Sequence, residues 1–322
     1  MGASGKIVLG SRGSDLALAQ VSMVEQALLQ AWPDLEMARE IIRTSGDEGG
    51  APLPVDRKAG RKGMFTREIE QQLLVRRIDL AVHSAKDLPS EAMEELEIAG
   101  VLPRGPTGDV LIARNGLRLM TLPEGALIAT GSIRRQRQLR WKRPDLEVTD
   151  LRGNVPTRLR KLRENENWSG IILAQAGLER LGMSIVGRAL RLPGMEDEPG
   201  QPERSPYNAE ILSPDDFVPA GGQGVIALQA RRDDERVRRL LKAIDDEPAR
   251  ICLRAEREFL RLLDGDCDSP VGVHARLIDG RLRLQAQVFE EGVSAPRAGV
   301  AAGASAQPER LAAELMDKLY GN

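Results

Sequence analysis

The sequence has very few of the residues that build disulfide frameworks, zinc sites or aromatic binding surfaces. Of its 322 residues only two are cysteine and two are histidine, and aromatic residues make up 3%. Two cysteines in unlike contexts do not form a disulfide framework, and without a Cys-x-x-Cys pair they give little support to zinc, so we expect no metal. No apolar stretch reaches the length of a signal sequence or a membrane span. These absences predict a cytoplasmic protein with reduced thiols and no membrane role.

Neither sign of charge dominates the chain. The 46 basic and 48 acidic residues give a net charge of −2, which argues against a general surface for nucleic acid. Nucleotide-binding motifs are also missing, because the glycine segments at 10–13 and 221–224 lack Rossmann spacing and there is no complete P-loop. A hydrophobic fraction of 41% is ordinary for a globular protein, and the length allows two or three domains. We therefore expect globular domains without a nucleic-acid partner.

Strand-like and helix-like segments alternate through the first two thirds of the chain. Lys6 to Ser11 predicts a buried strand, and Ser14 is placed to cap a helix that stops near Pro33. The alternation continues with helices beginning at Thr66 and after Ser132, and with predicted strands at residues 40–44, 78–83, 110–113, 126–130, 147–151 and 170–174. This pattern is typical of α/β domains.

The pattern changes in the last third of the chain. A helix is predicted at 248–263, and two strands at 275–278 and 281–289 flank Asp279-Gly280 as a hairpin. A final helix is predicted at 308–320. Residues 192–206, rich in proline, glycine and acidic side chains, predict an exposed loop. A smaller α+β domain therefore follows the α/β part.

Of the two cysteines, only one is placed for chemistry. Cys252 falls at helical spacing with apolar neighbours, which predicts a small buried residue of the core. Cys267 lies in a turn rich in glycine and proline, so we interpret it as an attachment point, although an ordinary free thiol is the alternative. A thiol hydrolase that pairs Cys267 with His83 or His274 is a further alternative, for which no third orienting group is identifiable.

Arginines gather at two predicted helix starts. Ser132 is placed as the cap of one helix with Arg134 and Arg135 in its first turn, where each exposed cation opposes the helix dipole by roughly 0.3 to 1 kcal/mol. A bound anion would compensate for this. Arg152 and Arg158 flank a second such turn, and the alternative for both is a solvated basic face. Groups that could join the same anion site are Arg12, Ser14, Lys58 and Lys62.

A polar run follows the strand predicted at 78–83. Open α/β sheets bind ligands at such strand ends, which makes Ser84, Lys86 and Asp87 site candidates. A carboxylate among cations stays ionised unless desolvation opposes it, so Asp87 can stabilise a cation or transfer a proton. The alternative for Asp87 is a turn or helix cap before Pro89. His83 is interpreted as a satisfied strand-end histidine rather than a catalytic base.

Taken together and in this order, these segments resemble the porphobilinogen deaminase family, also called hydroxymethylbilane synthase, over nearly the whole chain. The segments that carry the resemblance are 11–18, 62–65, 79–89, 131–136, 151–155, 219–224 and the Cys267 turn. It implies two periplasmic-binding-protein-like α/β domains flanking a cleft, plus a smaller C-terminal α+β domain. The implied limits are residues 1–103 with 222–241 for domain 1, 104–221 for domain 2 and 242–322 for domain 3.

The resemblance also implies an activity. Cys267 would hold a dipyrromethane cofactor through a thioether, and four porphobilinogen molecules would be joined head to tail with loss of ammonia before water releases hydroxymethylbilane. The implied partners are porphobilinogen and the growing polypyrrole chain, and the implied oligomeric state is a monomer. The competing interpretation is a non-enzymatic two-lobed anion-binding protein in which Cys267 is incidental.

Individual roles follow from the resemblance as expectations. Asp87 is the implied catalytic residue. The implied cofactor-binding residues are Cys267 (covalent), Ser84, Lys86, Asp87, Ser132, Arg134, Arg135 and Arg158. The implied substrate-binding residues are Arg12, Ser14, Lys58, Lys62, Phe65, Arg152 and Gln223.

Overall fold

Three β-sheets organise the part of the chain that the computed structural model describes, which is residues 6–44, 66–91, 93–186, 189–193, 207–264 and 269–321. The strands are β1 Ile7–Ser11, β2 Met37–Ile41, β3 Leu80–Ser84, β4 Leu96–Val101, β5 Asp109–Arg114, β6 Leu127–Ala129, β7 Glu147–Thr149, β8 Trp168–Ala174, β9 Ser184–Val186, β10 Ala189–Arg191, β11 Tyr207–Leu212, β12 Ile226–Arg231, β13 Val271–Ile278, β14 Arg281–Val288 and β15 Arg297–Ala304. The α-helices are α1 Asp15–Ala31, α2 Arg67–Leu74, α3 Ile133–Lys142, α4 Val155–Glu164, α5 Gln175–Arg180, α6 Glu235–Lys242, α7 Glu247–Leu262 and α8 Pro308–Tyr320.

The first sheet has the strand order β2-β1-β3-β12-β4. β1 is parallel to β2 and β3, whereas β12 returns from far along the chain and runs antiparallel to β3 and β4. α1 begins as predicted, because the Ser14 side chain accepts a hydrogen bond from the Ala17 amide at 3.4 Å. Its apolar face packs with β1, β3 and β12 in one buried cluster. This packing fixes the end of β3, where the candidate site residues begin.

The second sheet has the order β7-β6-β8-β5-β11-β10-β9. β5 is buried on both faces: Val110 and Ile112 belong to one apolar cluster, and Leu111 and Ala113 belong to the cluster on the other side. A strand covered on both faces has a continuous run of apolar residues, and this run is the signal from which the sequence predicted β5. The chain crosses from the first sheet after β4 and returns before β12. These two chain crossings are joined by a hydrogen bond, which the Gly105 amide donates to the Gly224 carbonyl at 3.0 Å.

The third sheet, β13-β14-β15, lies in the C-terminal part with α7 and α8. Ile278 pairs with Arg281 across the predicted turn, and Asp279 and Gly280 both have positive φ, 48° and 76°. Positive φ at both central residues is the geometry of the two-residue hairpin turn that Asp-Gly favours. The predicted hairpin and the final helix at 308–320 are confirmed. Cys252 lies buried on α7 as predicted, and burial raises the pKa of its thiol to about 11.

Several sequence predictions of single elements were wrong. The strand predicted at 40–44 is β2 at Met37–Ile41, because its limits are set by pairing with β1 from Ile7↔Met37 to Ser11↔Ile41 rather than by its own residues. Six strands were not predicted at all: β4, β9, β10, β11, β12 and β15. β12 is a short apolar run after a glycine-rich segment, and periodicity alone does not separate such a run from a helix.

The predicted fold class is confirmed, since two α/β sheets and a smaller α+β unit are present. The exact domain limits remain a prediction. Of the predicted loop at 192–206, residues 194–206 lie outside the described part of the chain. No helix among the described residues is both long enough and apolar enough to cross a membrane.

Candidate functional site

Polar side chains from both α/β sheets meet where strands end and short turns or helices begin. β3 is followed by a 3-10 turn at Ala85–Asp87, and α3 and α4 begin shortly after β6 and β7. We call one set of these side chains the charged cluster. It consists of Lys86, Asp87, Asp109, Arg134, Arg135 and Arg158.

A glycine holds the Ala85–Asp87 turn in place. Gly222 has φ 75°, and a Cβ built on it would lie 2.9 Å from both the Ala85 carbonyl carbon and the Lys86 nitrogen. Only glycine adopts this backbone conformation readily and also leaves room for so close an approach. The glycine-rich segment at 221–224 therefore serves the site by supporting the turn that carries Lys86 and Asp87.

Asp109, at the start of β5, is the buried anion of the cluster. Its carboxylate lies 2.8 Å from Arg134 Nη2 and 2.6 Å from Arg135 Nη2. These two arginines hold the pKa of Asp109 well below its usual range although desolvation opposes them. The cations at the start of α3 are thus neutralised in part by the protein itself, and not by a bound anion alone as the sequence suggested.

Ser132 does not cap α3 with its side chain, which corrects the sequence prediction. It occupies the N-cap position with no side-chain capping hydrogen bond, and its backbone amide donates to Thr130 Oγ1 at 3.3 Å. Ser132 is half-buried and precedes Arg134 and Arg135 by two and three positions. A ligand at the start of α3 would therefore meet a hydroxyl that the helix does not use.

Lys86 faces these groups from the first sheet. Burial lowers the pKa of its ammonium to about 8, against the opposing effect of Asp87, and the charges of Arg135, Asp109 and Arg134 also act on it. Since Arg134 and Arg135 lie in the second sheet's unit, the two units approach each other at Lys86. The site therefore lies between them.

Arg158 and Arg152 extend the cationic side of the site. Burial lowers the pKa of Arg158 to about 10, and the positive charges of Arg135 and Arg152 lower it further, whereas Asp87 raises it. Arg158 Nε donates to the Gly153 carbonyl at 2.7 Å. Arg152 is more exposed and pairs with Asp150 at 2.8 Å. Asp87 is thus within electrostatic reach of both Lys86 and Arg158.

A cavity of about 60 Å³ lies against the same turn. Ser84 and Gln20 both line the cavity, and Gln20 Nε2 lies 2.8 Å from Ser84 Oγ. Arg12 also lines it. Burial lowers the pKa of His83 to about 4, and the charge of Arg12 acts in the same direction. The residues that line the cavity are Arg12, Ser14, Leu16, Ala17, Gln20, Thr66, Ile69, Val82, His83, Ser84 and Asp87.

The structure brings most of the predicted site residues together, with one difference in role. Gln223 is almost fully buried, and its Nε2 donates to the Thr107 carbonyl at 2.7 Å and to Asp109 at 2.9 Å. The Gln223 amide therefore holds the Asp109 carboxylate in place through a hydrogen bond. Four predicted residues lie outside the described part of the chain: Lys58, Lys62, Phe65 and Cys267.

The sequence prediction missed two residues at the site, Asp109 and Gln20, and a third, Arg180, that hydrogen-bonds to the glycine-rich segment at 221–224. Asp109 and Gln20 were hidden because their roles depend on pairing across the fold. Arg180 ends α5, donates from Nη2 to the Gly224 carbonyl at 2.6 Å, and has a pKa that burial lowers to about 10. An arginine six residues after the end of β8 was the available signal, because a helix after a strand end begins at the same edge of the sheet.

The charged cluster fits a ligand with several carboxylates. Four cations, Lys86, Arg134, Arg135 and Arg158, face two carboxylates, Asp87 and Asp109, so two positive charges are in excess. The Nε atoms of Arg134 and Arg135 are buried without a hydrogen-bond partner among the described residues. Arginine forks bind carboxylates in pairs of parallel hydrogen bonds. Dipyrromethane carries acetate and propionate groups, and the residues present suit it. The described residues show no group of three side chains that could hold a metal ion.

Fold and site together define a class: a two-lobed α/β protein with a third α+β unit and a cationic site for a polycarboxylate. Residues 7–239 match the family model "Porphobilinogen deaminase, dipyromethane cofactor binding domain", and residues 250–321 match "Porphobilinogen deaminase, C-terminal domain". The chain therefore belongs to the porphobilinogen deaminase family.

Relatives of this family match almost the full chain. The chain is 43% identical over 316 residues to the porphobilinogen deaminase of Roseiflexus sp. strain RS-1, covering 97% of this chain and 95% of that protein. It is 42% identical over 316 residues to that of Syntrophobacter fumaroxidans, covering 97% and 94%. An arginine-specific periplasmic binding protein of Salmonella typhimurium is a distant structural neighbour, with 13% identity, a TM-score of 0.39, and coverage of 77% of this chain and 94% of that one.

Proposed function

We propose that this protein is a hydroxymethylbilane synthase that joins four porphobilinogen molecules head to tail, with loss of ammonia from each, and releases the product with water. The observation that carries the proposal is Asp87 placed among cations between the two α/β units. The family membership supports the same reaction and disfavours a non-enzymatic anion-binding protein. A cytoplasmic monomer is part of the proposal.

The cations bind and orient carboxylates. Lys86, Arg134, Arg135 and Arg158 offer ammonium and guanidinium donors to acetate and propionate groups, and Ser84 and Ser132 add hydroxyl donors. Arg12 and Arg152 lie at the margins of the site, where a substrate would be bound. Because the cations are fixed by Asp109, Asp150 and backbone carbonyls, little reorganisation is needed when an anion arrives.

Asp87 supplies the negative charge that the chemistry needs. Porphobilinogen carries an aminomethyl group that leaves as ammonia, and positive charge develops on the substrate as it leaves. A carboxylate beside that carbon stabilises the charge and passes protons to and from the leaving nitrogen. The charges of Lys86 and Arg158 act on Asp87 and favour the orientation of its carboxylate toward the site.

The cofactor is proposed to be attached to Cys267 through a thioether. When bound, dipyrromethane supplies the terminal pyrrole carbon to which the first substrate unit is joined. Cys252 is not the attachment point, because it is buried in the third unit and burial disfavours its thiolate. Lys58, Lys62 and Phe65 complete the proposed set of substrate-binding residues, and Gln223 contributes through its hydrogen bond to Asp109.

The proposal is tested first on the wild-type protein. We expect the intact mass to exceed the sequence mass by one dipyrromethane, with the adduct on the peptide that contains Cys267, and we expect ammonia release from porphobilinogen. An unmodified protein that stays unmodified and releases no ammonia after incubation with porphobilinogen would contradict the proposal.

Asp87→Asn tests the catalytic role. We expect this variant to lower kcat for ammonia release by about a hundredfold or more, the usual scale for removing a general acid–base group, while the Cys267 adduct remains. Asp233→Asn is the matched control, because Asp233 is exposed and pairs with Arg76 away from the site. Near-normal ammonia release by Asp87→Asn would remove Asp87 from the central role.

A further inference from the structure

Two buried glutamines connect the charged cluster to the third unit. Arg134 Nη1 donates to Gln138 Oε1 at 3.0 Å, one turn further along α3. Gln138 Nε2 donates in turn to Gln287 Oε1 on β14 at 2.9 Å. The exposed fractions of Arg134, Gln138 and Gln287 are 3%, 0% and 4%. We call Gln138 and Gln287 the glutamine bridge, because through them the third unit reaches an arginine of the cluster.

The order of donors and acceptors in the glutamine bridge is determined by chemistry. A guanidinium only donates hydrogen bonds, so Gln138 must turn its carbonyl oxygen toward Arg134 and its NH₂ group away from it. That NH₂ group also donates to the Val218 carbonyl at 2.9 Å. Gln287 accepts from Gln138 with its carbonyl oxygen, and its own NH₂ group faces the Asp216 carbonyl at 3.4 Å. Reversing either amide would place donors against donors and acceptors against acceptors.

These contacts decide which donor Arg134 keeps for a ligand. Nη1 carries two hydrogens, and its two acceptors are Gln138 Oε1 at 3.0 Å and the Val218 carbonyl at 2.8 Å. Nη2 lies 2.8 Å from the Asp109 carboxylate. Nε is buried and has no hydrogen-bond partner among the described residues. The guanidinium is therefore held by its two terminal nitrogens, and Nε is left to donate to an anion.

The Val218 carbonyl also lies against the third unit. The Val273 amide on β13 donates to the Pro219 carbonyl at 2.9 Å. A Cβ built on Gly272 would lie 2.6 Å from the Val218 oxygen, so a side chain at this position would collide with it. Both groups that accept from the Gln138 NH₂ group thus depend on the position of the third unit.

We propose that Gln138 is a positioning residue that holds Arg134 for the carboxylates of the cofactor, and that Gln287 holds Gln138 in turn. This inference rests on the proposed function, because the anion concerned is an acetate or propionate of dipyrromethane. The third unit includes Cys267, the proposed attachment point. The unit that would carry the cofactor therefore also orients an arginine that would bind it.

Two variants break the glutamine bridge, Gln287→Leu at its far end and Gln138→Met in the middle. Gln285→Leu is the matched control. Gln285 lies two residues from Gln287 on the same face of β14, is 8% exposed, and donates to the Asp215 carbonyl at 2.7 Å. The control therefore also removes a buried hydrogen bond between β14 and the segment after β11, but it leaves the bridge intact. If Gln138→Met does not fold, the two β14 variants still test the proposal.

The first readout is cofactor loading, followed by intact mass while protein from a host that makes no porphobilinogen is incubated with porphobilinogen. Per folded molecule, we expect loading to slow about tenfold in Gln138→Met, the usual effect of losing one hydrogen bond to a charged group. In Gln287→Leu we expect about threefold, the scale of coupling between neighbouring residues. Gln285→Leu should load at the wild-type rate even if it is less stable.

The second readout separates kcat from KM in the loaded protein. We expect kcat for ammonia release to fall in the same order as loading, because a misplaced Arg134 misplaces the cofactor. KM for porphobilinogen should stay within about twofold of wild type, because Arg12 and Arg152 are the proposed substrate-binding arginines. A rise in KM with unchanged kcat would overturn the inference, since the bridge would then serve the substrate instead of the cofactor.

The double variant Gln138→Met/Gln287→Leu tests whether the two glutamines act in series. Once the bridge is broken at Gln138, loss of Gln287 should slow loading no further, whereas independent residues would multiply their effects. Multiplied effects would overturn the inference, and so would Gln287→Leu protein that loads as fast as Gln285→Leu. Wild-type protein that gains no mass and releases no ammonia would overturn the proposed function as well, and is distinguished because no variant is involved.

Discussion

At the scale of the residue, Lys86 makes the site sensitive to pH. Because burial lowers the pKa of Lys86 to about 8, the ammonium is charged below that pH and loses its proton as the pH rises through it. Carboxylate binding should weaken in the same direction. We expect wild-type kcat/KM at pH 9 to be about a tenth of its value at pH 7, since one pH unit above a pKa leaves about a tenth of a group protonated.

Lys86→Arg separates this group from others that titrate in the same range. Arginine stays charged throughout, so the alkaline fall should move to higher pH in this variant even if its kcat is lower. Lys242→Arg is the matched control, because Lys242 is exposed in the last turn of α6. An alkaline limb at the same pH in Lys86→Arg and wild type would assign the fall to another group.

The residues of the site could be predicted where the neighbouring sequence itself contains the signal. Ser84, Lys86 and Asp87 follow a strand directly, and the position of that strand end in the fold makes them neighbours of a ligand. Asp109 was not predictable in this way. Its sequence context shows only an acidic residue before an apolar run, and its role appears when β5 brings it against two arginines that lie 25 and 26 positions later in the chain.

At the scale of the element, the Ala85–Asp87 turn depends on Gly222. Gly222→Ala would force both a strained φ and a displacement of the turn, because the new Cβ would lie 2.9 Å from the Ala85 and Lys86 backbone. We expect a loss of unfolding free energy of about 1 to 3 kcal/mol and a marked fall in kcat, because Lys86 and Asp87 would move from their positions in the charged cluster.

Gly292→Ala is the control for the backbone effect alone. Gly292 has φ 76°, close to that of Gly222, but nothing lies within 4 Å of a Cβ built on it. We expect a loss of stability of about 1 kcal/mol with unchanged activity. Chemical denaturation and ammonia release measured on both variants check this. Equal activity in the two variants would mean that the turn does not depend on Gly222.

Elements with local signals were predicted well, and elements that depend on distant partners were not. The hairpin at Asp279-Gly280 requires positive φ at two adjacent residues, and Asp-Gly provides it. β12 has no comparable signal. It becomes a strand because it pairs with β3 on one side and with β4 on the other. Both partners lie more than a hundred residues earlier in the chain.

At the scale of the whole molecule, one carboxylate joins the third unit to both chain crossings. Glu256 on α7 is fully buried and pairs with Arg104 at 2.7 Å. It also accepts hydrogen bonds from the backbone amides of Gly222 and Ala275, each at 2.7 Å. Arg104 follows β4, Gly222 precedes β12, and Ala275 lies on β13. A single side chain therefore fixes the third unit against the connection between the two lobes.

Glu256→Gln tests this junction. Removing the charge leaves the half-buried Arg104 without its anion. It also replaces one acceptor oxygen of the buried side chain by a donor that faces an amide. We expect a loss of about 3 to 5 kcal/mol in the free energy of unfolding, the usual cost of breaking one side of a buried pair. Glu258→Gln is the matched control on the same helix. Its exposed pair with Arg261 should contribute about 1 kcal/mol or less.

Urea denaturation followed by both circular dichroism and ammonia release distinguishes two ways in which Glu256→Gln could act. If the junction stabilises the protein as a whole, both signals shift to lower urea together. If the third unit separates first, activity is lost at lower urea than secondary structure, because the crossings at Arg104 and Gly222 lose their support while the two lobes remain folded. A variant with the same stability as Glu258→Gln would show that packing of α7 alone holds the third unit in place.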